Sequence, residues 1–188
     1  MGTQSKRIAR RERQRRKRLR RWLVGGTIGG AVVGLIVLVT LASFQPAQGE
    51  SVPIEGANHA PIGELPARVG AEPPTSGTHY GRPAEAGFYD EPVEDGYLIH
   101  NLEHGYVIIW YNCDGIDQTA CEGLKDGVRR VIATFRDAKV IGVPRDGMEA
   151  TIALTSWGRI DRLEWFDEAR VRSFIRANLG RAPEPDAP

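Results

Sequence analysis

The sequence contains few residues suited to thiol or thioether chemistry, with only two cysteines and two methionines among 188 residues. The cysteines do not form a C-x-x-C pair, which argues against a redox-active dithiol. The sequence also has no internal repeat, no G-x-S-x-G element and no H-E-x-x-H element. These absences exclude a repeat architecture and leave the usual serine-hydrolase and zinc-protease patterns without support.

Acidic residues are almost missing from the first 21 positions, where Glu12 stands against 11 lysines and arginines. An uncharged stretch over residues 22–44 follows directly, and a helix of about 20 apolar residues is long enough to cross a bilayer core. We expect an uncleaved transmembrane helix there, because a cleaved signal has a shorter apolar core of about 7–15 residues. The positive-inside rule keeps the basic tail cytoplasmic and places residues 45–188 outside the cytoplasm.

The charge differs strongly between the two sides of this expected span. Residues 22–188 hold 14 basic and 23 acidic residues, a net charge of −9, which argues against nucleic acid as a partner. The basic tail is expected to attract anionic lipid headgroups. A homodimer is a further hypothesis, because small-xxx-small pairs let two helices approach closely, although glycine is also common in such spans. The glycines that form these pairs are Gly25, Gly26, Gly29, Gly30 and Gly34.

Composition divides the rest of the chain into three parts. Residues 45–72 are expected to form an extended linker, because prolines and glycines interrupt any apolar period. Residues 73–180 are long enough for one domain with one core. Residues 181–188, with their three prolines, are expected to form a disordered tail.

The apolar pattern of residues 73–180 predicts an α+β domain, a two-layer mixed β-sheet with two packed helices. Residues 106–111 are β-branched and aromatic without interruption, which predicts a central strand buried on both faces. A helix is expected to begin near Cys121, because the apolar residues after it recur at helical spacing. The further elements expected are strands over residues 139–143, 150–156 and 160–165 and a last helix with Asp167 as its N-cap.

Cys113 and Cys121 are expected to form a disulfide, since this bond persists outside the cytoplasm. The seven residues between them, DGIDQTA, are polar turn material that can bend back. The bond would tie the end of the central strand to the start of the following helix. Metal ligation by the two thiolates remains as an alternative.

All four histidines lie within residues 59–104, and this clustering is the main indication of function. His100 and His104 are four residues apart and share one face of either a helix or a strand, while Glu103 adds a carboxylate. Imidazole is a preferred ligand of zinc and copper. The alternative is that these histidines only satisfy hydrogen bonds within the core. The residues predicted to form the metal site are His79, His100, His104, His59 and Glu103.

The loop PPTSGTHYG, residues 73–81, is rich in hydroxyls and glycine. Thr75 and Ser76 are candidates for binding an anion through this loop, or for holding a turn through their own hydrogen bonds. Ser76 and His79 also suggest a nucleophile and a base, but no third member of a triad is evident.

The motif PPTSGTHYG followed by HNLEHGYVIIWY resembles the signature of a family of uncharacterised bacterial membrane-anchored proteins, known only as a domain of unknown function. The resemblance covers about residues 59–165. It implies a bacterial cell-envelope protein and draws attention to His79, His100, Glu103 and His104. It supplies no reaction, substrate or cofactor.

Two functions follow from the sequence. The first is transition-metal binding by an anchored, extracytoplasmic domain, with copper or zinc as the ion. The second is a non-enzymatic cell-envelope interaction module whose histidines are structural. An enzyme using Glu103 as a base would also need an open coordination position on the metal.

Overall fold

A computed structural model describes Gly26, Gly30 and residues 32–35, 46–67, 70–136 and 138–187. The transmembrane helix predicted over residues 22–44 lies mostly outside these residues. Within the described part of the chain, no helix is both long and apolar enough to span a bilayer.

Between residues 46 and 187 the described chain forms eight strands and three helices. The strands are β1 (Glu50–Ser51), β2 (His59–Ala60), β3 (His79–Tyr80), β4 (Gly87–Phe88), β5 (Val107–Tyr111), β6 (Val140–Pro144), β7 (Ile152–Ser156) and β8 (Arg159–Leu163). The helices are α1 (Asp95–Glu103), α2 (Gln118–Thr134) and α3 (Glu168–Asn178).

The main sheet has six strands in the order β1-β8-β7-β5-β6-β4. Strand β5 lies inside it, parallel to β6 and antiparallel to β7. All five residues of β5 are buried, because side chains of its two faces enter two separate apolar cores. The predictions of a mixed sheet and of a central, doubly buried strand are confirmed.

One face of the sheet packs against α2 and α3. Val107, Ile109 and Tyr111 of β5 cluster there with Val128 of α2 and Phe174 of α3. The apolar stripe predicted after Cys121 therefore forms the buried face of α2. The predicted cap of the last helix is also confirmed, since the Asp167 side chain accepts a hydrogen bond from the backbone of Arg170.

The other face of the sheet packs against α1, and this helix corrects the expectation of two helices in two layers. Ile108 and Trp110, the alternate residues of β5, cluster with Leu98 and Leu102 of α1. Helices thus cover both faces of the sheet. The sequence did not distinguish helix from strand here, because α1 buries polar residues as well as apolar ones on its nine-residue length.

Polar contacts hold α1 in position. The guanidinium of Arg145, directly after β6, donates to both carboxylate oxygens of Asp95 in the first turn, at 2.7 and 3.2 Å. Such a two-point contact fixes orientation as well as distance. Nearer the C-terminal end, the Asn101 side chain donates to the Ala84 carbonyl and accepts from its N–H, both at 2.9 Å. The loop before β4 is therefore tied to the helix.

Residues 46–67, within the segment assigned to an extended linker, add two short strands to the domain. Strand β1 pairs antiparallel with β8, and β2 pairs parallel with β3 in a separate two-stranded sheet. The chain from Pro46 onward clusters as one compact unit. Strands of two residues leave no apolar period in the sequence, so only their long-range pairing defines them.

Cys113 and Cys121 form the predicted disulfide. Cys113 follows β5 and Cys121 lies in the first turn of α2. The Asp117 side chain caps this helix by accepting from the Ala120 N–H at 2.9 Å. The bond therefore joins the strand to the helix in the way the spacing predicts.

Candidate metal centre

Strands β2 and β3 bring the first two histidines together. His59 pairs with His79 in the parallel register, and the His79 N–H donates to the carbonyl of Asn58 at 2.9 Å. Neighbouring residues of paired strands point to the same side of a sheet. The two imidazole rings consequently lie edge to face, with centroids 4.7 Å apart.

Helix α1 supplies the other two side chains of the cluster. His100 and Glu103 are three residues apart and so lie on one face of the helix. Gly96 permits the close approach of α1 to β3, because a Cβ at this position would lie 2.5 Å from the Tyr80 ring. The His100 ring lies 5.1 Å from that of His79 and 5.3 Å from that of His59.

The four side chains present one ligand atom each within a small volume. The ligand atoms of His59, His79, His100 and Glu103 all lie within 4.8 Å of one another. Oε2 of Glu103 is 2.9 Å from Nε2 of His79 and 3.8 Å from Nε2 of His59. Ligands about 2.0–2.1 Å from one zinc ion are themselves about 3–4 Å apart. The group can therefore hold a metal ion after small side-chain shifts.

Backbone carbonyls set the orientation of the two buried imidazoles. Nδ1 of His79 donates to the Gly77 carbonyl at 2.8 Å, and Nδ1 of His100 donates to the Tyr80 carbonyl at 2.7 Å. A carbonyl only accepts, so the proton of each neutral ring is on Nδ1 and the lone pair is on Nε2. Metal-binding histidines commonly make this hydrogen bond through the nitrogen that does not face the ion.

The contact between His79 and Glu103 brings together two groups that can each bind a metal ion. Nε2 of His79 lies 2.9 Å from Oε2 of Glu103. A proton between the two atoms makes this contact a hydrogen bond. A metal ion bound by both groups would take the place of that proton.

Burial divides the four side chains into three inner ones and one outer one. His79, His100 and Glu103 are buried, whereas the His59 side chain is 57 % exposed. Burial lowers the pKa of His100 below its ordinary value, and the nearby His104 and His79 lower it further. The hydrogen bond to the Tyr80 carbonyl and the Glu103 charge oppose this shift in the pKa. Lowering favours the neutral imidazole, the form that binds metal.

His104 is close to this cluster but belongs to a second group. Its ring centroid is 4.3 Å from that of His100, and its ligand atom groups with Glu103 and Glu184 within 4.8 Å. Sequence reasoning did not find Glu184, since its segment was expected to be a disordered tail. The carbonyls of Gly77 and Tyr80 were also missed, because backbone groups leave no composition signal.

Thr75 and Ser76, the candidates for an anion-binding loop, are fully buried. Oγ of Ser76 accepts a hydrogen bond from the Glu55 N–H at 2.9 Å, and the Thr75 carbonyl accepts from the Gly158 N–H at 3.1 Å. These contacts hold the loop against neighbouring segments. They agree with the interpretation of the loop as a structural turn that positions His79.

Comparison with known proteins assigns a family without an activity. Residues 68–188 match a family described as "Protein of unknown function (DUF3105)". No curated protein and no solved structure matches the chain. The matched range contains His79, His100, Glu103 and His104, and it begins after His59.

Proposed function

The chain belongs to the DUF3105 family, and from its histidine cluster we propose that it binds a transition-metal ion outside the cytoplasm, on a membrane anchor. His59, His79, His100 and Glu103 are the ligands. Copper or zinc is the ion, because a set of three imidazoles and one carboxylate suits these metals better than magnesium or calcium.

The observation that carries this proposal is the orientation of the two buried histidines. Backbone carbonyls accept from Nδ1 of His79 and of His100, which leaves Nε2 of each ring to bind an ion. Ordering these side chains before the ion arrives lowers the entropy cost of binding. Histidines that serve only as core hydrogen-bonding groups have no need to converge with a carboxylate and with the exposed His59.

The anchor is proposed from the sequence. The 11 basic residues before position 22 and the uncharged stretch over residues 22–44 form a pattern typical of a signal-anchor. A metal-binding domain beginning at Pro46 would then lie outside the cytoplasm. Attraction of the basic tail to anionic lipids and dimerisation through the glycine face remain predictions.

A second candidate function is a cell-envelope interaction module with structural histidines. The observation in its favour is that His79 is fully buried and has partners at both ring nitrogens. On this alternative, the 57 % exposed side chain of His59 has no structural role, and replacing it changes nothing in metal uptake.

Calorimetric titration of the full-length chain with zinc and with copper(II) tests the proposal. We expect binding at micromolar metal or below, and an affinity lowered at least about tenfold in His59→Gln. Asn58→Gln, at the exposed neighbouring position, is the matched control and keeps the parent affinity. Absence of binding to either metal would overturn metal binding and favour the interaction module, and an unchanged affinity in His59→Gln would overturn the assignment of His59 as a ligand.

The location is tested separately by fusing alkaline phosphatase to the C-terminal end of the full-length chain in bacteria. This reporter folds into an active enzyme only outside the cytoplasm, where its disulfides form. We expect activity in the membrane fraction. An inactive fusion of full length would overturn the proposed topology while leaving metal binding untouched.

A further inference from the structure

The second ligand group lies directly beside the first and shares a carboxylate with it. His104 is buried, and its Nε2 is 3.6 Å from Oε2 of Glu184. Glu103 is a member of both groups. The two groups therefore meet at Glu103.

A carboxylate has two oxygens, and one carboxylate can bind two ions. Building on the metal binding proposed above, we propose that the domain holds two metal ions bridged by Glu103. The first ion is bound by His59, His79 and His100, and the second by His104 and Glu184. The rings of His100 and His104 are neighbours, with centroids 4.3 Å apart, so the two groups of ligands are adjacent, as the short spacing of ions in two-metal sites requires.

Backbone hydrogen bonds hold Glu184 against the end of α1. Its N–H donates to the Glu103 carbonyl at 3.1 Å. The ammonium of Lys139 donates to the carbonyls of His104 and Pro185, both at 3.0 Å, and so links the last segment to the helix end. These bonds use main-chain oxygens and leave the Glu184 carboxylate facing His104.

The second position has a harder set of ligands than the first. One imidazole and two carboxylates suit zinc, manganese(II) or iron(II) better than the thiophilic copper(I). The Glu184 side chain is 58 % exposed, so this ion is bound more weakly and exchanges more readily. Two divalent ions against two carboxylates leave a net positive charge, which would attract an anionic oxygen ligand such as hydroxide or phosphate.

Metal analysis of the full-length chain titrated with zinc tests the pair. We expect two equivalents in the parent protein and one in Glu184→Gln. Glu64→Gln, which changes an exposed carboxylate five positions after His59, is the control and keeps two equivalents. A parent protein that binds one equivalent would overturn the second site and leave the proposed function intact, whereas no binding would overturn both. Two equivalents in Glu184→Gln would also overturn the second site.

Electron paramagnetic resonance with copper(II) as probe tests the bridge itself. The first equivalent should give a full-intensity signal, and the second should reduce or broaden it, because neighbouring paramagnetic ions couple. In Glu184→Gln the second equivalent should give only the signal of free copper(II). A second bound equivalent whose signal simply adds to the first would overturn bridging by Glu103.

Discussion

Nε2 of His79 lies 2.9 Å from Oε2 of Glu103 while the other ring nitrogen donates to the Gly77 carbonyl. Glu103 also belongs to the group of His104 and Glu184, so both proposed ions share its side chain. Removing the Glu103 charge should therefore weaken metal binding at both positions, whereas removing any single histidine should weaken it at one position.

Glu103→Gln should lower zinc affinity at both positions, by at least about tenfold at the tighter one. The amide keeps the shape of the side chain but loses the negative charge that favours a cation. Competition with a chromophoric chelator measures this change. Glu149→Gln, at an exposed position before β7, serves as the control, and equal affinity in the two variants would contradict the role of Glu103.

His100→Gln and His59→Gln should separate stability from metal binding. His100 is buried and hydrogen-bonded to the Tyr80 carbonyl, so its replacement should lower the free energy of unfolding of the metal-free protein by about 1–3 kcal/mol. The exposed His59 should change it by less than about 0.5 kcal/mol. Urea unfolding in the presence of a chelator checks both values, and equal losses would contradict the assigned difference in burial.

The metal-free protein should lose stability as the pH falls below about 6.5, the ordinary pKa of histidine. Because burial lowers the pKa of His100 in the folded state, the unfolded chain binds more protons in the window below that pH. The contribution of neutral, buried His100 to the free energy of unfolding is fully present above this pH window and decreases as the pH falls through it. His79, His104 and Glu103 face this ring and are the charged groups that modify the effect.

Urea unfolding of the metal-free protein between about pH 7.5 and pH 5 measures this dependence. His100→Gln should show a smaller loss of stability over the same range. An identical pH dependence in the two proteins would contradict the assignment to His100.

Gly105→Ala should lower the free energy of unfolding by more than Gly115→Ala does. Both glycines have a left-handed backbone, with φ of 83° and 75°, where a side chain costs about 1–3 kcal/mol. Only at Gly105 would the added Cβ meet another atom, 2.8 Å from Cα of Gly180. Denaturant unfolding measures both variants: Gly115→Ala reports the backbone strain alone, and Gly105→Ala reports the strain together with the clash. Equal losses of free energy would mean that the close approach of Gly105 to Gly180 does not contribute to the cost.

Replacing both Cys113 and Cys121 by serine should lower the free energy of unfolding by about 2–3 kcal/mol, on the loop-entropy estimate for so short a loop. Zinc stoichiometry should stay unchanged, because the bond joins β5 to α2, whereas the proposed metal ligands lie on β2, β3 and α1, directly after α1 at His104, and in the segment after α3 at Glu184. Denaturation without reductant and metal analysis measure the two quantities. A loss of zinc would contradict the separation of disulfide and site.

The fold was predictable where the sequence carries a strong local pattern. The uninterrupted apolar run at β5, the helical stripe of α2 and the Asp167 cap each depend on neighbouring residues. Helix α1 was not predicted, since His100, Asn101 and Glu103 are polar residues at buried positions. Their burial is explained only by partners distant in sequence, such as Ala84 for Asn101.

The candidate site was predictable in composition and only partly in geometry. The concentration of histidine and glutamate within residues 59–104 indicated which residues to consider, and the structure brings His59, His79, His100 and Glu103 together. The spacing of His100 and His104 suggested one shared ion, whereas α1 ends at Glu103 and His104 groups with Glu184. The contact between His104 and Glu184 depends on backbone hydrogen bonds, which cannot be predicted from residue types.

The pairing of β1 with β8 and of β2 with β3 also determines what a shortened chain would lack. Residues 68–188, the range that the family match covers, omit both strands. In a protein starting at residue 68, β8 would become an exposed edge strand of the main sheet, because its outer neighbour β1 would be missing. Exposed edge strands tend to pair with strands of other chains. It would also lack His59, so aggregation and weakened metal uptake would arise together from one truncation.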